Sequence, residues 1–238
     1  MSQVISGRPV WIGGYEFSNQ LNAVALDHGA DDLDATSLAD TTRVHKGGLK
    51  SSGFSIEGFY DPESIDNVMY ANTGLEGVPV AVAAQQGNEG EKAFFFNTVQ
   101  GEYQNGGAIG ELRSFTAGGM SRGDLVRGSI HINGSAITSS GATTGIQATT
   151  VSSDQRLFAA LFVTSVSGTA PTLDVTVQSD DNGGFSSASD QITFAQATQI
   201  GAQIIDLSGP ISDDYFRVDY SIGGIGPSFN FMVVIGIQ

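Results

Sequence analysis

The chain has 238 residues, no cysteine, 32 glycines and a formal net charge of −15. The absence of cysteine excludes a disulfide framework, a thiol nucleophile and a thiolate metal site, and a broad negative field works against specific binding of phosphate backbones. No apolar run approaches the roughly 18 residues of a bilayer-spanning helix, and the first residues lack the charged and apolar regions of a signal peptide, so the expectation is cytoplasmic synthesis with no membrane partner.

A hydrophobic content of 40% supports real cores, and only 15% of residues are charged. With Gly, Ser and Thr throughout, that mix suits many short strands joined by tight turns. Residues 1–19 read as an irregular arm, with Trp11 and Tyr15 as anchors around Gly13-Gly14. Leu21 to Leu26 is a short strand. A long polar stretch follows. It is acidic first, at Asp27, Asp31, Asp32, Asp34 and Asp40, and then basic, at Arg43, Lys46 and Lys50. A segregated charge run of this length reads as a functional or solvated loop, or as an arm that reaches a neighbouring subunit.

Residues 52–60 form the next strand, with Phe54, Ile56 and Tyr60 on one face and Ser55, Glu57 and Phe59 on the other. The one helix starts at Asp61-Pro62, where Asp61 caps and Pro62 takes the first helical position. Its stripe is Ile65, Val68 and Met69, and Asn72 and Gly74 stop it. Strands are predicted at Val78–Ala83, Ala93–Val99, Gly110–Thr116 and Asp124–Ile132. Phe94 to Phe96 imply a strand covered on both faces. In the last of the four, Val126, Ile130 and Ile132 oppose Arg127, Ser129 and His131.

Residues 138–150 carry no charge and little bulk, and read as a linker between domains at 1–137 and 151–238. Beyond it, strands are predicted at Leu157–Ser165, Leu173–Gln178, Gln191–Phe194, Gln203–Leu207, Tyr215–Ser221 and Phe229–Ile237. Six short strands with glycine-rich turns read as a β-sandwich.

Motifs with chemical potential have plainer readings beside them. Gly119-Met-Ser-Arg-Gly123 matches the nucleophile-elbow pattern around Ser121, but the following residues alternate like a strand where the motif needs a helix. The plainer reading is a hairpin turn, which also absorbs Arg122-Gly-Asp124. Asp180-Asp-Asn-Gly-Gly184 lacks the ligand spacing and distant glutamate of a calcium loop and reads as another turn. His28 and His45 flank the acidic run and could join Asp31, Asp32 or Asp34 around a metal, although a loop permits almost any spacing. His131 reads as a polar surface residue. No carboxylate pair has the apolar setting that raises a pKa. No catalytic residue, metal or cofactor is assigned, and an enzyme is not expected.

The segments Leu21-Asn-Ala-Val-Ala-Leu-Asp27, Asp34-Ala-Thr-Ser-Leu-Ala-Asp40-Thr-Thr-Arg43, Gly48-Leu-Lys50 and Ser55-Ile-Glu-Gly-Phe-Tyr-Asp61 resemble the tail tube proteins of long-tailed bacteriophages. Gly107-Ala-Ile-Gly-Glu-Leu-Arg113 and Ser121-Arg-Gly-Asp-Leu-Val-Arg-Gly128 are similar to the later part of that domain. The likeness covers residues 15–137. Ser167 to Asp181 and Phe216 to Gly224 look like β-sandwich segments of phage virion proteins.

The resemblance implies a mainly β fold: a tail-tube-type β-sandwich or barrel with one flanking helix, then an outer β-sandwich domain. It implies a structural virion protein of the phage tail, made in the host bacterial cytoplasm. Its copies would close into hexameric rings and stack into a tube that conducts DNA during ejection. The implied partners are further copies of the chain, the tape measure, terminator and baseplate proteins, and double-stranded DNA that passes without specific binding. Inner-wall residues come from the first domain's sheet, which makes Glu57, Glu102 and Glu111 the lumen-facing candidates. Asp31, Asp32, Asp34, Asp40, Arg43, Lys46 and Lys50 are the candidates for contact between rings. The alternative is a glycan-binding decoration or host-adhesion virion protein, with Tyr215, Phe185 and Phe229 as its aromatic platform.

Overall fold

The computed structural model describes residues 7–238; the first six residues of the expected N-terminal arm lie outside them. The described chain is mainly β, with one α-helix and antiparallel sheet pairing throughout. By contact density it divides into two units. One comprises residues through Asn19, Val78–Asn97 and Val126–Gln238; the other comprises Gln20–Gly77 and Thr98–Leu125. This division is discontinuous and differs from the expected cut at 138–150.

The first unit begins with β1 (Val10–Ile12) and β2 (Tyr15–Glu16), both within the stretch expected to be irregular. β5 (Glu76–Ala83) and β6 (Lys92–Gly106) contribute residues to both units. The first unit continues with β8 (Val126–Ile137), β9 (Gly141–Ala142), β10 (Ile146–Gln147), β11 (Arg156–Asp180), β12 (Ser189–Thr193), β13 (Gly201–Ser208) and β14 (Tyr215–Ile237). Its sheet runs in the order β12-β11-β14-β8-β6-β5-β1-β2. The segment expected as a linker instead carries β9 and β10, and both pair with β14.

Four of the expected short strands merge into two long ones. β11 and β14 pair from Leu157↔Ile237 through to Asp180↔Tyr215, with register shifts between Val163 and Thr172. The turn signals there, Gly168, Ala170-Pro171, Gly224 and Gly226-Pro227, are bulges in a ribbon and do not end strands. Gly168, Gly224 and Gly226 all have positive φ, as does Ala170 at 48°, which is the conformation bulged residues adopt. Leu157, Ala159, Leu161 and Val163 share one core with Leu173, Val175 and Val177 from the other half of the strand, so the ribbon doubles over at its bulged middle. Ala160 and Phe162 point the other way, into a second core with Trp11, Phe95, Ile130 and Val234. Burial on both faces explains why Leu157–Val163 reads as a continuous apolar run.

The second unit is smaller. Its sheet runs β3 (Leu21–Asp34), β4 (His45–Phe59), β7 (Ser114–Ser121) and the distal part of β6. β7 starts later than expected, because 107–113 is the connection from β6; β8 likewise runs Val126–Ile137 where Asp124–Ile132 was expected. The helix, α1, spans Ile65–Asn72 and buries Ile65, Val68 and Met69 as its spacing requires. It starts three residues after Pro62. The Asp61 carboxylate accepts the Glu63 N–H at 2.9 Å and the Asp61 carbonyl accepts the Asp66 N–H at 3.1 Å, so Asp61-Pro62 forms a turn ahead of the helix. Thr73 and Gly74, the latter with φ of 82°, end it.

One close approach holds this sheet to its first strand. A Cβ on Gly58 would lie 2.0 Å from the Gln20 carbonyl oxygen and 2.9 Å from the Phe115 ring. The Phe59 N–H donates to that same Gln20 carbonyl at 2.9 Å. Gly58→Ala is therefore expected to destabilise the chain by about 1–3 kcal/mol, the usual cost of overpacking against fixed backbone. Thermal unfolding beside a Gly47→Ala control, where the added Cβ would meet nothing within 4 Å, checks it.

Candidate functional site

The second unit's sheet has one dry face and one wet face. On the dry face lie Phe54, Ile56, Phe115 and Ala117, all buried. Helix α1 covers this side: the Gln100 amide donates to the Met69 carbonyl at 3.0 Å, and the Tyr103 hydroxyl donates to the Asp66 carboxylate. Burial, and then the bond to Asp66, push the Tyr103 hydroxyl up to about 12. Asn105 extends this network by accepting from Arg113 at 2.6 Å, and the Arg113 guanidinium sits 3.8 Å from the centre of the Tyr60 ring.

Alternation then fixes the wet face. Ser55 and Glu57 are exposed between Phe54, Ile56 and Gly58. Glu57 lies beside Ala23 on β3 and Thr116 on β7, and Thr116 in turn lies beside Gln104 on β6. In the next row Ala25, Ser55, Gly118 and Glu102 stand side by side. Register thus brings Glu57 and Glu102 onto one face, in adjacent rows along the strands. The Gln104 amide donates to Glu102 at 2.8 Å. An open groove of about 650 Å³ runs along this face, lined by Asp27, Ser55, Glu102, Gly118 and Met120 among others. Glu111 is elsewhere: it is exposed in the β6–β7 connection, its N–H donating to the Ala108 carbonyl at 3.1 Å.

The long polar stretch is not a loop. β3 and β4 stay paired through Asp34↔His45, so the acidic and basic runs form the two strands of a hairpin. Leu33 faces Lys46, and Ala30 faces Lys50. Every residue from Asp27 to Gly47 is exposed. Asp31, Asp32 and Asp34 lie on β3 and Lys46 and Lys50 on β4, while Asp40 and Arg43 sit in the connecting turn. Asp32 meets His45 Nδ1 at 2.8 Å. Hydrogen bonds from Thr36 hold the Asp34 carboxyl below the ordinary carboxylate range, and bonds from Ser37 do the same for Asp40. The His28 ring bonds the Ser52 hydroxyl at 2.7 Å. The two histidines therefore have separate partners, and among the described residues no cluster of metal-ligating side chains forms.

What sequence reading missed is the apolar content of this surface. Among the described residues, the exposed large hydrophobics are concentrated in the second unit, Leu33, Leu38, Leu49, Tyr70, Ile109 and Leu112 among them, and only Tyr15, Ile200 and Ile225 lie outside that unit. The available signal was Leu33, Leu38, Val44 and Leu49 scattered through a charged run without either helical or strand periodicity.

The other candidates resolve differently. Ser121 ends β7, and the strand β8 follows after a short turn, so the strand–turn–helix of a nucleophile elbow is not formed. The Asp180 carboxylate accepts from the Asn182 amide and the Ser187 N–H within its own turn. Of the proposed aromatic platform, Phe229 is fully buried and Phe185 is 9% exposed beneath the Arg217 guanidinium.

His131 is not a surface residue: it is buried, 4% exposed, and its Nδ1 has no hydrogen-bond partner. Burial, with the nearby Lys92 charge, pushes the ring down from 6.5 to about 3. The unfolded chain takes up a proton below pH 6.5 that the folded chain refuses until about pH 3. Within that window each unit of acidification is expected to cost roughly 1 kcal/mol of stability through this group. Above pH 6.5 the effect vanishes. Chemical denaturation between pH 4.5 and 7 should show that His131→Gln loses this part of the slope.

No protein-family model matches the chain, and no curated protein does. Several solved structures are similar. One is a chain from the tail of an empty gene transfer agent particle: 18% identity over 44% of this chain and 80% of that one, TM-score 0.36. Another is the Dit protein of phage SPP1, described as a hub adsorption apparatus of phages infecting Gram-positive bacteria: 9% identity over 98% of this chain and all of that one, TM-score 0.39. A third belongs to the sheath–tube complex of an extracellular contractile injection system: 10% identity over 52% of this chain and 88% of that one, TM-score 0.42.

Proposed function

We propose that this protein is a structural virion subunit that polymerises as stacked rings into a phage tail tube, with an acidic channel for DNA. The observation that carries the reading is the second unit's sheet: a wet face that carries Glu57 and Glu102, on a unit that also exposes large apolar side chains. Large apolar side chains gathered on one unit mark an association surface where they form a patch, and further copies of the chain would cover them. The wet face, with Glu57 and Glu102, is then the lumen wall. Glu111, in a connection away from that face, belongs at a rim or a contact between copies. The sequence resemblance over residues 15–137 supports the same reading.

The physics of such a channel favours carboxylates. Facing phosphates, they release no counterions and so offer DNA no binding gain. Their repulsion is screened over about 8 Å at physiological salt, so it acts only on groups close to the duplex. Electron microscopy of purified protein should show rings or hollow tubes; isolated particles at every concentration would reject the proposal. Glu57→Lys with Glu102→Lys is expected to leave tubes intact and to slow DNA ejection, most strongly at low salt. Ejection at the wild-type rate in low salt would remove these residues from the lumen.

The hairpin is the reading's second element. A two-stranded ribbon without a core is marginal in water, and this one carries Asp31, Asp32, Asp34, Arg43, Lys46 and Lys50 outward together with Leu33, Leu38 and Leu49. It fits an arm that docks on the adjacent ring. Arg43→Glu with Lys46→Glu is expected to reduce tube length in micrographs while leaving the monomer's thermal unfolding nearly unchanged, because exposed charges contribute little to folding. Tubes of normal length would take the basic patch out of stacking.

Of the adhesion reading's platform, Phe185 and Phe229 are buried and Tyr215 is half-buried.

A further inference from the structure

A cleft of about 320 Å³ opens in the first unit, between β8, the start of β6 and residues 146–149. Strand alternation arranges it. Val126, Gly128 and Ile130 are buried on one side of β8 and Arg127 and Ser129 lie on the other, while His131, at the register shift against β14, also lines the cleft. β6 runs antiparallel with Lys92 opposite Ser129 and Phe94 opposite Arg127, so Lys92 joins the same face. Its ammonium donates to the Ser129 hydroxyl at 2.7 Å, which leaves further N–H bonds free. Thr149 and Gln147 form the facing wall, and Gln147 already donates to Asp214 at 3.0 Å.

The charge of this cleft runs against the rest of the chain. The sequence has 25 acidic and 10 basic residues, yet Lys92 and Arg127 line the cleft and no carboxylate does. The ion pairs among the described residues join Asp32 with His45, Glu76 with Arg122, and Asp206 with Arg156; Arg127 belongs to none of them. A guanidinium offers a planar fork of donors matched to two oxygens of a carboxylate or phosphate, and an ammonium beside it adds a point charge. His131, which also lines the cleft, is buried and neutral, so the positive charge there is that of Lys92 and Arg127.

We propose that this cleft is an oxyanion site. Arg127 and Lys92 hold a phosphate-type group between them, and the Ser129 and Thr149 hydroxyls supply further hydrogen bonds. The site lies in the first unit and does not depend on the tube reading.

The test is a titration of the intact chain with inorganic phosphate at constant ionic strength, balanced with chloride. It is followed through the amide signals of residues 92, 127, 129 and 149 and the ring signals of His131. Saturable shifts confined to these residues are expected. Arg127→Gln should weaken binding about tenfold or more, as loss of a charge-assisted fork does, and Lys92→Gln should do likewise. Arg156→Gln, which removes a guanidinium already paired with Asp206, should leave the titration unchanged. Amide spectra away from the cleft confirm that each variant is folded. Should a variant misfold, a phosphate-dependent rise in the wild-type melting temperature over equal chloride serves as the second readout. Displacement of phosphate by acetate would extend the site to carboxylates, and its failure would confine the site to tetrahedral anions. Linear, unsaturable shifts, or a titration that Arg127→Gln leaves unaltered, would overturn the proposal.

Discussion

The alternation of β4 is the constraint on which the second unit depends. Phe54 and Ile56 are buried, with α1 on their side of the sheet, and a strand that buries them has no choice about Ser55 and Glu57. A shift of one residue would put a glutamate into the core and a phenylalanine into water. The same rule passes across the sheet through paired residues. Gly118 stands between Ser55 and Glu102, and Thr116 between Glu57 and Gln104. The wet face is thus set by the dry one. Its small residues, Ala23, Ala25, Ser55 and Gly118, leave it open, and the groove along it is lined by Asp27 and Glu102 together with Gly118 and Met120.

Much of this was legible in the sequence because it rests on local alternation. The faces of β4, the apolar stripe of α1, the doubly covered Phe94–Phe96 strand and the side of β8 that carries Arg127 and Ser129 all followed from spacing alone. Non-local pairing was not legible. Gly168 and Gly224 look like turn residues, and in isolation they would be. Only the partner strand reveals them as bulges, because β11 and β14 pair on both sides of them. The same holds for 138–150. A neutral, small-residue segment reads as a linker until β9 and β10 are seen to hydrogen-bond β14. His131 failed for a third reason: the register against β14 shifts at this residue, with Ile130 opposite Val234 in one core and Ile132 opposite Val233 in the other, so simple alternation does not carry through it.

The hairpin was misread for a related cause. Strand patterns arise from half-burial, in which one face is dry and the other wet. From Asp27 to Gly47 both faces are wet, so the segment has no period to detect and its composition imitates a loop. Its pairing is instead fixed from its base, where Leu26↔Phe54 and Val24↔Ile56 set a register that the outer residues continue. Cross-strand and turn contacts help: His45 with Asp32, and Thr36 and Ser37 with Asp34 and Asp40. Those bonds satisfy polar groups, but they bury no apolar area, and Leu33, Leu38 and Leu49 remain in water.

That last point separates two ways of being acidic. A net charge of −15 by itself would keep a compact domain soluble and monomeric through self-repulsion. Exposed leucines on the same hairpin favour the opposite outcome, since each removed from water on contact contributes about 1.5–3 kcal/mol if fully buried. Charge repulsion is long-ranged and weakened by salt, whereas apolar contact is short-ranged and persists in salt. A chain built from both would resist association at a distance and gain from it once apolar surfaces meet. On the proposed assembly, acidity spread over the whole chain would select against disordered aggregation, and the apolar residues gathered in the second unit would determine which contacts are stable.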